Sequence, residues 1–161
     1  MKRLPQLLAA LILAAVTTLP AQANDFQWRR TLAAGTSIEI VGINGSIEAL
    51  GAGGGEVEVT AVKTARNSDP GGVRIEVVEH ADGVTICAVY PAPSNSPENQ
   101  CRAGGRGHSD SRNNDVKVAW TVRVPSGVRF TGRTVNGDVT ARGLSAPAAA
   151  HSVNGSITLE T

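Results

Sequence analysis

The stretch Thr134-Val135-Asn136-Gly137-Asp138-Val139-Thr140 returns 18 residues later as Ser152-Val153-Asn154-Gly155-Ser156-Ile157-Thr158. Four of the seven positions are identical, and a third, shorter copy, Ile43-Asn44-Gly45-Ser46-Ile47, lies near the start of the chain. Short repeats of this kind are typical of chains that stack β-rungs, each of which pairs with the next. The repeat therefore predicts an all-β fold of the β-solenoid type, and the crossover rule makes it a right-handed, β-helix-like coil.

The register of the repeat predicts which side chains meet. Val135, Gly137 and Val139 share one face of a strand because residues two apart point the same way. If rungs stack about 4.8 Å apart, the valines form a ladder, Asn136 lies over Asn154, and the threonines of the two copies align. We expect the Asn-Gly pairs to be structural corner residues, with glycine allowing left-handed backbone at low cost. These corner residues are Asn44, Gly45, Asn136, Gly137, Asn154 and Gly155.

Asn-Gly also has a second interpretation, because this pair is the preferred centre of a type I′ hairpin turn. Each repeat would then be a hairpin rather than a rung of a stack. Recurrence of the whole seven-residue unit favours rungs, since an isolated hairpin does not require it.

Longer runs of alternating apolar and polar residues occur between residues 56 and 124. Such alternation predicts half-buried strands. The runs are residues 56–65, 73–79, 84–90 and 115–124. Asp82-Gly83 between two of them is a hairpin signal, so the N-terminal half is expected to hold longer, partly antiparallel strands.

The first 23 residues have the order of a secretory signal peptide. Lys2 and Arg3 precede an apolar run at 7–16, and Ala21-Gln22-Ala23 forms a small-x-small cleavage sequence. The apolar run is shorter than the roughly 20 residues that a membrane-spanning helix needs. We therefore expect a single domain over residues 24–161, exported to the periplasm or the cell surface without a transmembrane anchor.

Cys87 and Cys101 both lie in the exported part, and an even pair in an oxidising compartment predicts a disulfide. The bridge would close a proline-rich loop of about 15 residues and stabilise the fold by roughly 3 kcal/mol. A zinc site with His108 and Asp110 is the alternative, but the close cysteine pair of usual zinc sites is missing.

Charge is unevenly distributed along the chain. Residues 24–101 carry five basic and ten acidic side chains, whereas residues 102–142 carry eight basic and three acidic ones. These charges either keep the outward faces of the fold in contact with water, or they attract other copies of the chain in a head-to-tail arrangement. Neither half is basic or aromatic enough for nucleic acid.

A reaction centre is not indicated. Ser, His and Asp occur together at 107–111, but neighbours in one loop do not converge as a catalytic triad. The glycines at 51–55 are not followed by the Lys-Ser/Thr of a phosphate loop. We predict no catalytic, metal or cofactor-binding residue and no enzyme activity. A carbohydrate-active hydrolase on a β-helix is the alternative, and it would need two carboxylates facing each other across a groove.

With these residues assembled, the chain resembles the putative-adhesin domain family, which is found in exported bacterial proteins. The resemblance rests on the Val-Asn-Gly units, on residues 84–91 followed by Cys101 and a Gly-rich loop, and on residues 122–128, and it covers most of residues 36–161. It implies a β-solenoid-like domain with an unidentified protein or glycan partner at the cell envelope. Because the chain stops soon after a Val-Asn-Gly strand, we expect an incomplete domain or a last edge covered by something else, including self-association through that edge.

Overall fold

The computed structural model describes residues 25–105 and 110–160, and the predicted signal peptide lies outside these ranges. The described residues form strands with two short 3-10 helices at Pro70–Gly72 and Ala103–Gly105, which confirms the all-β class. The strands are β1 (Asp25–Thr31), β2 (Ser37–Val41), β3 (Ile47–Ala52), β4 (Glu56–Thr64), β5 (Arg74–His80), β6 (Gly83–Val89), β7 (Lys117–Pro125), β8 (Arg129–Asn136), β9 (Val139–Arg142), β10 (Ala148–Asn154) and β11 (Ile157–Glu160).

The strands form two mixed sheets rather than a closed solenoid. The six-stranded sheet has the order β1-β4-β7-β3-β9-β11, and the five-stranded sheet has the order β10-β8-β2-β6-β5. Each repeat unit contributes one strand to each sheet, as β2-β3, β8-β9 and β10-β11. The end of the stack opposite β10 and β11 is antiparallel. There β1 pairs with β4, β4 with β7, and β5 with β6. The expected antiparallel part is thus confirmed, whereas the continuous coil is not.

The two long copies of the repeat stack in parallel. β10 pairs with β8 so that Asn154 lies beside Asn136, and β11 pairs with β9 so that Thr158 lies beside Thr140. The two flanks of Asn136-Gly137 belong to different sheets. The Asn-Gly pair is therefore a corner between sheets, and the hairpin interpretation is wrong. The shorter copy at 43–47 stacks directly on the copy at 134–140, with a parallel bridge between Asn44 and Asn136.

The core consists of columns of side chains that cross the rungs. In one column Trp120, Ile47 and Val139 are each no more than 2% exposed, and Ile157 continues the same column. Burying a side chain of this size stabilises a fold by about 1.5–3 kcal/mol. Ile157 is 47% exposed because no rung of the described chain covers it. The columns are closed in the middle of the stack and open at its last rung.

The valine ladder differs from the expectation at the corners. Val135 and Val153 are 37% and 74% exposed, whereas Thr134 is buried. The chain changes sheet at the corner, so the alternation of inward and outward residues is interrupted there. Val139, beyond the corner, is the valine of this copy that enters the core.

Candidate functional site

The segment between β6 and β7 folds back over the five-stranded sheet. The predicted disulfide joins Cys87 on β6 to Cys101 in this segment, with the two Cα atoms 5.6 Å apart. Together with Val89 the two cysteines form a small buried cluster, against which Val41 and Val78 pack. β6 is therefore buried on both faces, the inner one by the main core and the outer one by this loop.

A buried carboxylate fastens the loop a second time. Glu39 on β2 is only 6% exposed. One of its oxygens, Oε2, accepts hydrogen bonds from the Thr85 hydroxyl and from the Gly104 amide, both at 2.9 Å, and Oε1 accepts one from Arg133 Nε at 2.9 Å. A buried charge costs several kcal/mol unless it is paired and hydrogen-bonded in this way. Glu39 thus joins β2, β6, β8 and the loop.

The partners of Glu39 are positioned in turn. His80 Nε2 lies 3.2 Å from the Thr85 hydroxyl oxygen. Because that hydroxyl donates its proton to Glu39, the His80 nitrogen donates to Thr85. Gly105 has φ +61°, and a Cβ there would meet Arg133 Cδ at 2.8 Å. Glycine at this position therefore lets the arginine side chain lie against the loop.

A polar cleft of about 540 Å³ opens beside this network. It is lined by Ser37, Glu39, His80, Asp82, Ala103, Gly104, Arg129, Thr131 and Arg133. Arg133 also lines a smaller cavity of about 160 Å³, whose walls are mostly apolar. Arginine, histidine and hydroxyl groups suit hydrogen bonding to a polar ligand. Both oxygens of Glu39 are already engaged, so the carboxylate serves to hold Arg133 in place.

The base of the loop is fixed by an amide and a phenol. Asn99 Nδ2 donates to the carbonyl oxygens of Tyr90 and Asp110 at 2.9 and 2.6 Å, and its Oδ1 accepts from the Asp110 amide at 2.7 Å. The Tyr90 hydroxyl donates to the Val116 carbonyl at 2.9 Å. Burial raises the pKa of Tyr90 to about 12. Asn99 therefore ties the start of the loop, at Tyr90, to its later part, at Asp110.

Asp115, just before β7, anchors a different loop. Its Oδ1 accepts from the Ser68 amide at 2.8 Å, and its Oδ2 accepts from the Arg66 and Asn67 amides at 3.1 and 3.0 Å. These hydrogen bonds, led by those with Ser68, hold the pKa of the Asp115 carboxyl well below its ordinary value. Since the folded-state pKa is depressed, the stability that Asp115 contributes is present above the unfolded pKa, about 3.9, and is lost as pH falls toward the folded value.

We expect Asp115→Asn to lower the melting temperature at pH 7 and to matter less at pH 2. The amide keeps one oxygen acceptor but loses the negative charge that strengthens the bonds from the three backbone amides. Thermal unfolding at pH 7, 4 and 2, followed by circular dichroism, measures the difference between variant and wild type. Asp82→Asn, at an exposed turn, is the matched control. A difference that stays constant between pH 7 and pH 2 would contradict this assignment.

The corner residues form two ladders along the stack. Asn154 Nδ2 donates to Asn136 Oδ1, and Asn136 Nδ2 donates to Asn44 Oδ1, both at 2.8 Å. Of the three corner glycines, only Gly45 has a left-handed backbone, with φ +121°. The other two are needed for a different reason: each lies against the carbonyl oxygen of the preceding corner, where a Cβ would overlap it. The overlapping pairs are Gly155 with the Gly137 oxygen and Gly137 with the Gly45 oxygen.

No protein-family model and no curated protein matches the chain. Two solved bacterial structures are similar to it. One, from Clostridium sporogenes ATCC 15579 and described as a putative cell adhesion protein, is 6% identical with a TM-score of 0.38, covering 84% of this chain and 99% of its own. The other, a putative adhesin from Bacteroides fragilis NCTC 9343, is 10% identical with a TM-score of 0.35, covering 86% of this chain and 62% of its own. Scores and identities this low support no inference about function, and membership of the adhesin-domain family stays a prediction.

Two other observations concern the function classes considered from the sequence. Within residues 25–105 and 110–160 there is no cluster of three or more His, Cys, Asp or Glu that could hold a metal ion. The zinc alternative used both cysteines, which form the disulfide instead, and its His108 lies outside the described residues. The same ranges contain no helix long and apolar enough to cross a membrane.

Sequence reasoning missed Glu39 and Arg133. Glu39 lies between Ile38 and Ile40 in an alternating strand, a pattern that indicates a solvated outer face. Glu39 is buried because the loop at residues 103–105 packs over it and because Arg133, 94 positions away in the sequence, lies beside it. The local sequence contains one indication of this contact, the pair Gly104-Gly105. Two glycines indicate that the backbone approaches another group closely, but they do not identify that group.

Proposed function

We propose that the chain is an exported, non-enzymatic interaction domain of adhesin-like type, acting in the periplasm or at the cell surface through the outer face of its five-stranded sheet. The observation that carries the proposal is the loop held by Cys87–Cys101 and Glu39, beside a polar cleft that stays open. A disulfide in a chain with a signal-like leader supports an oxidising compartment. The ligand class is a protein or glycan of the envelope.

The arrangement favours binding over hydrolysis. Glu39 and Asp82 both line the cleft and are the two carboxylates that a hydrolase there would use. Glu39 accepts hydrogen bonds through both oxygens from Arg133, Thr85 and Gly104. Three of the roughly four lone pairs of its carboxylate are therefore engaged, which suits a residue that holds its neighbours in place rather than one that transfers a proton. Asp82 lies at an exposed hairpin turn. We further propose that residues 129–160 are two turns of a solenoid-like stack, built on a broader two-sheet base.

One experiment tests export and binding together. The whole chain is produced in a bacterium with a periplasm, and mass spectrometry of the recovered protein is expected to find Asn24 at the N-terminus and no free thiol. The oxidised protein is then screened on arrays of envelope glycans and surface proteins. Arg129 lines the cleft and is exposed; Arg129→Ala is expected to weaken binding about 10-fold, or roughly 1.4 kcal/mol.

The matched control is Arg123→Ala, which removes an exposed arginine from the six-stranded sheet and is expected to leave binding unchanged. An equal loss of binding affinity in the two variants would show that the ligand does not bind in the cleft. An uncleaved leader in the recovered protein, or release of reducing sugar from a glycan by wild type but not by Asp82→Asn, would overturn the proposal.

A further inference from the structure

The cavity of about 160 Å³, which we call the loop cavity, lies between the outer face of the five-stranded sheet and the loop that follows β6. Its walls are mostly apolar and include valines from three neighbouring strands, Val41 on β2, Val89 on β6 and Val135 on β8. An engineered apolar cavity of about 150 Å³ takes up one benzene molecule. The loop cavity therefore has the size of one aliphatic or aromatic side chain.

The apolar lining of the loop cavity runs from its floor to the protein surface. Val89 is 3% exposed, whereas Val135 is 37% exposed. A single exposed valine is common on protein surfaces, but this one borders a cavity whose other walls are also apolar. Val135 therefore forms an apolar rim that a ligand can reach from solvent.

The charged residues that line the loop cavity are arginines. Arg102 from the loop donates through Nη2 to Gln100 Oε1 at 2.7 Å, and a neutral amide leaves the guanidinium charge in place. Arg133 from β8 donates through Nε to Glu39, a contact that does not use the other N–H groups of its guanidinium. Within the described part of the chain no carboxylate lines the loop cavity, whereas Glu39 and Asp82 line the polar cleft. Charge complementarity at this cavity therefore selects an acidic ligand.

We propose that the loop cavity binds a protein ligand by taking up one apolar side chain, while Arg102 and Arg133 bind the carboxylate of an Asp or Glu two residues away in the ligand. The planar guanidinium matches the two oxygens of a carboxylate. Residues two apart in an extended segment point to the same side and are about 7 Å apart, so one side chain enters the cavity while the other lies at its rim. This site rests on the proposed function and narrows its ligand to a protein with an acidic and apolar segment.

A glycan fits the loop cavity less well than a peptide does. A sugar ring carries hydroxyl groups around its edge, and burying a hydroxyl without a hydrogen-bond partner costs free energy. The valines of the cavity offer no such partner. The apolar walls and the arginines together are satisfied by two side chains of a peptide, one apolar and one acidic.

The test follows the amide chemical shifts of the ¹⁵N-labelled oxidised protein during titration with the peptide acetyl-Gly-Leu-Gly-Glu-Gly-amide. We expect saturable shifts confined to residues 41–43, 87–89, 99–105 and 133–135. Alanine in place of the peptide's leucine is expected to weaken binding at least about 10-fold, because less apolar surface is buried. Glutamine in place of its glutamate is expected to weaken binding about 3-fold, the effect of one exposed ion pair.

Two pairs of protein variants locate the contacts. Val135→Ser is expected to weaken binding about 5-fold, whereas Val62→Ser, at a valine that is 40% exposed on the six-stranded sheet, is expected to leave it unchanged. Arg102→Gln is expected to weaken binding of the glutamate peptide and not of the glutamine peptide. Arg112→Gln, at an exposed arginine elsewhere in the same loop, is the control. Melting curves of all four variants establish that they are folded.

Each opposite result overturns the proposal. Equal binding of the leucine and alanine peptides would show that the cavity stays unfilled, and equal binding of the glutamate and glutamine peptides would show that the arginines do not bind the carboxylate. Absence of saturable shifts would remove the site altogether. A galacturonate trimer, which carries carboxylates without apolar side chains, is titrated in parallel. Tighter binding of the trimer than of the peptide at these residues would make the ligand a glycan, which overturns this site's assignment and leaves the proposed function standing.

The reverse failure is also distinguishable. If the peptide binds as expected but Arg129→Ala changes binding to no envelope ligand, the loop cavity keeps its assignment and the proposed role of the cleft is wrong.

Discussion

Gly137→Val is expected to destabilise the protein by more than about 4 kcal/mol, an effect that few single substitutions reach. Gly137 lies in the middle of the glycine ladder, where a side chain would overlap the carbonyl oxygen of Gly45 on the adjacent rung. The obstacle is backbone, so it cannot move aside as a flexible side chain could. Because ordinary domains are stable by only about 5–15 kcal/mol, we expect a melting temperature lowered by tens of degrees or a protein that does not fold.

Two further variants make this result specific. Gly53→Ala adds a methyl group where no atom lies within 4 Å and is expected to change the melting temperature by no more than a few degrees. Gly155→Val makes the same kind of overlap as Gly137→Val, but only at the last rung, formed by β10 and β11. The remaining stack is therefore expected to fold with β10 and β11 detached. Hydrogen exchange would then show loss of protection confined to 148–160. A Gly137→Val protein that melts like wild type would exclude the close approach of the rungs.

Removing the disulfide is expected to cost about 3 kcal/mol and to release the loop from the five-stranded sheet. The double variant Cys87→Ala with Cys101→Ala loses the covalent tie, so only hydrogen bonds hold the loop, namely that of Gly104 with Glu39 and those of Asn99 at its base. Arg102 and Arg112, both exposed, then become good sites for trypsin. Melting curves and timed proteolysis with mass spectrometry measure both effects.

Reduction of the wild-type protein is expected to reproduce the effect of the double variant, and reduction of the double variant is expected to change nothing. Ser94→Ala, in the same loop but away from its anchors, serves as the matched control for the substitutions themselves. Cleavage at Arg102 that is equally slow with and without the disulfide would show that the hydrogen bonds to Glu39 suffice.

Much of the strand arrangement could be predicted because it is encoded locally. Alternation places Val57, Val59 and Ala61 inside, and each is fully buried. Asp82-Gly83 marks the hairpin between β5 and β6. The register of the two long repeats also follows from the sequence, because matching side chains align when identical units stack.

What could not be predicted depends on contacts between distant residues. The 43–47 copy lies against the 134–140 copy across 92 positions, and no local pattern chooses that neighbour over another. Glu39 pairs with Arg133 because β8 lies beside β2 in the five-stranded sheet. Val135 points outward because it is in phase with the outward residues of β8, and Val139 enters the core only after the change of sheet. Both therefore depend on the assembled stack rather than on any single segment.

The position of the β2-β3 rung has a consequence for the time course of folding. This rung comes early in the sequence, yet its neighbours on both sides, β6 with β7 and β8 with β9, are made later. The centre of the molecule therefore cannot be completed until residues near 142 have been synthesised, and contacts this distant in sequence form slowly. We therefore expect the nascent chain to lack its central packing while it emerges, which fits the proposed export of the chain before it has folded.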